Sequence, residues 1–175
     1  MGYLGLAYLM AKKTDSFIIR KTVDINNDNS YYEDSIDLGA YVDALGKSVL
    51  RILNVNIQMS DSTGRTSEVS TEAAAQFQLC TQPQTDIVLA SNKSVISTGR
   101  LIADGAGGVP TYVSHDFDNL PQLWSEGYLV AVDQIYLGGA ASTGFDGDVY
   151  CSITMECVVE SLTTEAAMAL ALSQQ

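Results

Sequence analysis

The chain has 175 residues, of which 46% are hydrophobic and 17% are charged, with a net charge of −12. This hydrophobic content excludes a disordered chain, and the length suits one domain better than two. Only nine Lys and Arg residues are present. Because phosphate backbones are bound through cationic side chains, direct wrapping of nucleic acid is not expected.

Strand-like segments separated by turn residues begin near the N-terminus. Residues 16–25 are rich in Phe, Ile and Val, and residues 26–30 form a dense turn signal. Residues 36–46 are ambiguous between a short helix and an irregular crossing. Residues 49–59 show a two-residue alternation that predicts a half-buried strand. One face of that strand would carry Leu53, Val55, Ile57 and Met59, and the other Asn54, Asn56 and Gln58.

The middle of the chain continues the same pattern. After a polar loop at residues 61–70, a strand is predicted in which Ala75, Phe77 and Leu79 alternate with Gln76 and Gln78. Residues 86–90 are a short apolar run, and residues 94–103 predict a further strand. Residues 104–110 read as a glycine-rich loop, followed by a brief strand candidate at Tyr112 and Val113.

The last third contains the longest apolar segments. Residues 123–137 predict two strands that meet at a bend or bulge, and residues 138–148 predict a loop of small residues. Residues 149–160 alternate cleanly, which predicts a strand with Cys151, Ile153, Met155, Cys157 and Val159 inward. The alanine-rich residues 163–172 predict a terminal helix or arm capped by Thr163 or Thr164.

These segments predict an all-β protein, an eight-stranded antiparallel β-sandwich with jelly-roll topology. Residues 15–162 would form the sandwich, residues 1–14 an N-terminal arm, and residues 163–175 a C-terminal helix or arm. The apolar residues 1–10 are too few for a transmembrane segment, and Lys12 and Lys13 follow them rather than precede them, unlike a signal peptide. They are either an arm that packs on a neighbour or a misassigned start before Met10.

Candidate catalytic and binding residues are few. The single histidine, His115 beside Asp116, lacks a nucleophile motif. The run from Gly105 to Gly108 lacks the Lys-Ser/Thr of a phosphate-binding loop. We therefore expect no enzyme activity, no cofactor, and neither catalytic nor metal-binding residues. Calcium stays an alternative at two carboxylate-rich loops, one with Asp24, Asn26 and Asp28 and the other with Asp146 and Asp148.

Three further groups of residues are interpreted first as structural. Cys80, Cys151 and Cys157 match no zinc or redox spacing, so buried free thiols are expected, with a Cys80 disulfide as the alternative. Trp124, Tyr128 and Tyr136 are expected in the core or an interface, with a sugar-binding platform as the alternative. The acceptor tripeptide at residues 92–94 occurs often by chance and is set aside.

The segments at residues 128–138 and 148–160 resemble the closing strands of compact β-sandwich capsid proteins. The likeness is to the single jelly-roll coats of non-tailed viruses of archaea and marine microbes. This resemblance implies a structural capsid subunit that assembles in many copies in the virion, with itself and other capsid proteins as partners. The alternative is a secreted or cell-surface β-sandwich binding module, which would have a ligand groove and stay monomeric.

Overall fold

The computed structural model describes residues 14–43, 45, 47–108, 111–114 and 123–175. These residues form nine β-strands and one α-helix, numbered here in chain order. The elements are β1 (Phe17–Asp24), β2 (Tyr31–Asp37), β3 (Ser48–Ser60), β4 (Glu72–Cys80), β5 (Val95–Asp104), β6 (Thr111–Ser114), β7 (Leu123–Val130), β8 (Gln134–Ala141), β9 (Tyr150–Ser161) and α1 (Thr164–Ser173). Within the described residues, no helix is long and apolar enough to cross a membrane.

The strands form two antiparallel sheets packed face to face. The first sheet has the order β1-β9-β3-β7, and the second has the order β2-β8-β4-β5-β6. Without the short edge strand β6, the eight long strands give two four-stranded sheets in which the first strand pairs with the last. This order is that of a jelly roll, and it confirms the predicted all-β sandwich and its topology.

Strand β9 shows how the sequence builds the core. Its inward residues are those predicted from the alternation, and Cys151, Ile153, Met155 and Cys157 are all at most 1% exposed. They pack in one cluster with Phe77, Leu79, Ile135 and Leu137 of the second sheet. Successive side chains of a strand point to opposite faces, so the apolar set fills the space between the sheets.

Strand β3 departs from its predicted register at one point. Val55 lies opposite Met155, but Ile52 lies opposite Cys157, so one residue is inserted between Ile52 and Asn54. The inserted residue is Leu53, which is absent from the core cluster; Leu50 and Ile52 are buried there instead. The prediction of Leu53 as an inward residue was wrong, because a β-bulge shifts the alternation in the strand.

Three other segments differ from the sequence prediction. Strand β2 was not predicted, because its acidic and tyrosine-rich sequence does not alternate between apolar and polar residues. Residues 86–90 lie in the loop between β4 and β5 rather than in a strand. Residues 138–141 belong to β8, where Gly138 and Gly139 allow close approach of Tyr31 and of the Gln76 carbonyl.

Helix α1 packs against β3 and the chain that leaves β7. The Thr163 hydroxyl accepts a hydrogen bond from the Ala166 N–H at 3.2 Å, which caps the helix as predicted. Ala167 packs in a small cluster with Val49 of β3 and Ala131 after β7. The C-terminal segment is therefore a helix attached to its own sandwich.

Candidate functional site

A fully buried glutamine organises the outer face of the second sheet. Gln78 of β4 points away from the core, yet it is 0% exposed because the β4–β5 loop, residues 81–94, folds back over it. Its amide nitrogen donates to the Tyr31 hydroxyl and to the Asp86 carbonyl, each at 3.0 Å. Its amide oxygen accepts from the Val88 N–H at 2.9 Å. We call residues 81–94 the covering loop.

A carboxylate on β2 holds the same loop from the side. Both oxygens of Glu33 accept from the Gln84 N–H, at 3.1 and 3.2 Å. The Tyr31 hydroxyl donates to Glu33 at 2.7 Å. Burial of the ring, together with this carboxylate, raises the pKa of Tyr31. The covering loop is therefore fixed by a connected set of hydrogen bonds from two strands.

The three cysteines are free and buried. Cys80 lies at the end of β4 where the covering loop begins, and Cys151 and Cys157 lie in the core between the sheets. Burial raises the pKa of each thiol to about 12. Thiolate, the reactive form, is therefore scarce at neutral pH.

The end of the molecule at α1 is held by a second buried glutamine. The amide oxygen of Gln174 accepts from the Ala131 N–H at 2.9 Å, and its nitrogen donates to the Leu129 carbonyl at 2.7 Å. These bonds link the end of α1 to the chain that leaves β7. They satisfy backbone groups that would otherwise be unpaired beneath the helix.

Large apolar side chains are exposed beside α1 and, separately in the chain, in the covering loop. Leu45 between β2 and β3 is 78% exposed, and Leu172 and Met168 of α1 are 69% and 44% exposed. Leu89 in the covering loop is 77% exposed. Apolar groups that cluster on a surface mark sites of contact with other molecules.

The carboxylate-rich loops use their acidic groups to shape turns. Asp24 accepts from the Asn26 N–H at 2.9 Å. Asp28 accepts from the Ser30 N–H and from the Tyr32 hydroxyl, and the tyrosine hydrogen bond lowers the pKa of Asp28. In the described part of the chain, no group of three or more His, Cys, Asp or Glu residues could hold a metal ion. That statement includes Asp146 and Asp148 of the other proposed calcium loop.

The glycine-rich segment forms a short turn after β5. Residues 106–108 are one turn of 3₁₀ helix, and the Asp104 carboxylate accepts from the Ala106 N–H at 2.8 Å. A carboxylate at this position would repel a phosphate. Gly105 is needed for packing, because a Cβ there would lie 2.3 Å from the Val69 carbonyl oxygen. His115 and Asp116 lie outside the described residues.

The three aromatic residues considered as a sugar platform are not brought together. Trp124 and Tyr128 form a tilted pair with ring centroids 5.7 Å apart and pack against the core. Tyr136 lies on the outer face of the other sheet, where its hydroxyl bonds to the Gln134 side chain. The expectation of core positions is correct for Trp124 and Tyr128.

Fold and surface together define a jelly-roll β-sandwich with one covered outer face and one end that exposes apolar side chains. Neither a protein-family model nor a curated protein sequence matches the chain. Among solved structures, it is similar to VP1 of Merkel cell polyomavirus in complex with disialyllactose, with 8% identity, 85% of this chain and 97% of the other covered, and a TM-score of 0.42.

Two further matches likewise combine high coverage with low sequence identity and a low TM-score. VP1 of Trichodysplasia spinulosa-associated polyomavirus in complex with GM1 oligosaccharide is 8% identical over 87% of this chain and 97% of its own, with a TM-score of 0.38. A structure of Desmodium yellow mottle tymovirus is 12% identical over 85% and 83%, with a TM-score of 0.32. These matches are a resemblance to jelly-roll viral capsid proteins; the fold assignment rests on the strand order. The likeness to coats of archaeal and marine microbial viruses stays a prediction.

Proposed function

We propose that this protein is a structural subunit of a virus particle, a capsid protein that assembles in many copies. The observation that carries the proposal is the exposed apolar surface around α1, formed by Leu45, Met168 and Leu172. A subunit of an assembly would bury such a surface against its neighbours. The virion is accordingly the proposed location, with itself and other capsid proteins as partners.

The remaining parts of the proposal follow from the sequence and the surface. Residues 15–162 act as the sandwich domain, and residues 1–14 and 163–175 act as contact segments. The subunit performs no catalysis and holds no cofactor, in keeping with the inert thiols and with the turn-forming use of Asp24 and Asp28. Its net charge of −12 makes nucleic-acid wrapping unfavourable.

The same charge sets the condition for assembly. Copies with a charge of −12 repel one another, and the range of that repulsion falls from about 30 Å at 0.01 M salt to about 3 Å at 1 M. Apolar burial does not weaken in this way with added salt. We therefore expect particles to form at the higher salt concentration and subunits to separate at the lower one.

Sedimentation velocity of the full chain at about 0.01 M and about 1 M NaCl tests the proposal, with negative-stain microscopy of the faster fraction. Closed shells at high salt support it. A chain that stays monomeric at high concentration in both salts, with or without calcium, contradicts it and favours a monomeric binding module. Removing residues 163–175 is a poor test, because Ala167 and Gln174 are part of the packed structure.

A further inference from the structure

A groove runs between α1 and the chain that connects β2 to β3. Its volume is about 320 Å³, and Val42, Ala131 and Val132 form an apolar floor. Leu45 forms one wall and Ala171 of α1 the other. The floor residues are buried, while Leu45 is 78% exposed. We call this feature the helix groove.

The apolar surface continues from the helix groove onto α1. At 100° per residue, Met168 lies 60° further round the helix than Ala171, and Leu172 lies 100° further round in the same direction. Gln175, which follows the helix, also lines the groove. Met168 and Leu172 are 44% and 69% exposed, so a strip of apolar side chains borders the groove.

The charge of the groove selects a basic occupant. Among the described residues, its lining includes Asp43 and Asp133 and no Lys or Arg. The chain has 21 acidic and nine basic residues, yet the charged residues nearest to the apolar N-terminal segment are both basic. Residues 3–9 read Tyr-Leu-Gly-Leu-Ala-Tyr-Leu, Lys12 and Lys13 follow, and no acidic residue precedes Asp15.

The position of Thr14 shows how far this segment can extend. The Thr14 hydroxyl accepts from the Val159 N–H of β9 at 3.0 Å, close in sequence to the start of α1. Residues 3–9 precede Thr14 by 5 to 11 residues, a reach of roughly 17–36 Å at about 3.3 Å per residue. That distance is enough to leave one sandwich and meet another.

On these observations we propose that the helix groove binds residues 3–9 of a second copy, an inference that rests on the proposed function. The described residues of the chain leave Leu45 and Leu172 exposed, and in an assembly of many copies a neighbouring subunit would supply the occupant. The area that Leu45, Met168 and Leu172 expose is far smaller than the roughly 1,200–2,000 Å² that two folded proteins bury in a stable interface. A short segment fits this area, and its weak binding is summed over many subunits in a shell.

Disulfide trapping tests the proposal in full-length chains. One preparation carries Leu6→Cys and another carries Leu172→Cys; the two are mixed at high salt and mildly oxidised. The native thiols are buried with a pKa of about 12 and do not compete. We expect a disulfide-linked pair of chains on non-reducing electrophoresis, several-fold more abundant than in a mixture of Leu6→Cys with Leu89→Cys, since Leu89 is equally exposed.

A double variant, Leu6→Cys with Leu172→Cys in one chain, tests the alternative that the segment binds the groove of its own chain. An intrachain disulfide there with no cross-link in the mixture would mean that the segment folds onto its own helix, which overturns the proposal. If particles form but the mixture gives no cross-link, the proposed groove contact is wrong and the proposed shell function is unaffected. If the two chains are cross-linked but particles never form, the groove contact is supported and the proposed shell function is wrong.

Discussion

The two outer faces of the sandwich provide hydrogen-bond partners for their polar side chains in different ways. On the first sheet, partly buried polar side chains bond to one another: Arg51 to Glu160 at 2.7 Å and Asn54 to Glu156 at 2.7 Å. On the second sheet, the covering loop excludes water from part of the face, and Gln78 bonds to that loop and to Tyr31. In sequence, Gln78 and Asn54 look alike as outward polar residues. An alternating pattern therefore shows which face a residue takes, and not whether that face is covered.

The largest effect is expected from breaking the inner face common to both sheets. Ile153 is 1% exposed, and Ile153→Asp would place an unpaired charge in the core, at a cost of about 3–5 kcal/mol or more. Thr154→Asp is the matched control on the outer face, opposite Arg20 of β1, and should cost less than about 0.5 kcal/mol. Urea unfolding measures both, and similar losses for the two variants would contradict the register of β9.

The second prediction sharpens the contrast between a covered and an uncovered outer residue. Gln78→Ala removes three hydrogen bonds and leaves the Val88 N–H without its partner. We expect a loss of about 2–4 kcal/mol in the free energy of unfolding. Gln76→Ala, two residues earlier on the same face of β4, should cost less than about 1 kcal/mol.

Thiol labelling gives that variant a local readout. Cys80 lies where the covering loop begins, whereas Cys151 and Cys157 lie in the core. In Gln78→Ala, Cys80 should react with a thiol reagent before the other two, while the native protein stays unlabelled under the same conditions. Equal labelling of all three cysteines would indicate global unfolding rather than opening of the loop.

The smallest effect is expected at the edge where the two sheets meet. Lys21 of β1 forms an ion pair with Asp34 of β2, and this contact lowers the pKa of Asp34 from 3.8. Because the folded-state pKa is depressed, the stabilisation is present above pH 3.8 and is lost as the pH falls through the lowered value. Asp34 is 53% exposed, so Lys21→Met should cost only about 0.2–1 kcal/mol at pH 7.

The pH dependence separates this effect from a change in packing. The difference between native protein and Lys21→Met should shrink as unfolding is measured at successively lower pH, because a protonated Asp34 no longer attracts the lysine. A difference that stays constant down to pH values well below 3.8 would show that the aliphatic part of Lys21, and not its charge, stabilises the edge.

Much of this fold could be predicted from local patterns. The alternation in β9 and the cap at Thr163 are local signals, and both predictions are confirmed. The bulge at Leu53 and the strand at Tyr31–Asp37 depend on partners far along the chain. The burial of Gln78 likewise requires a loop that no pattern within β4 reveals. The groove beside α1 could not be predicted, since it forms only when Leu45 and Ala171 meet in three dimensions.

Tyr31 and Gly138 illustrate a constraint that extends beyond one molecule. The tyrosine lies across the glycine so closely that a Cβ at residue 138 would sit 2.1 Å from the phenol oxygen. A side chain can therefore appear at residue 138 only if the ring at residue 31 is lost or displaced. We therefore expect these two positions, more than 100 residues apart in the chain, to change together among related sequences, and the loop that bonds to the tyrosine to change with them.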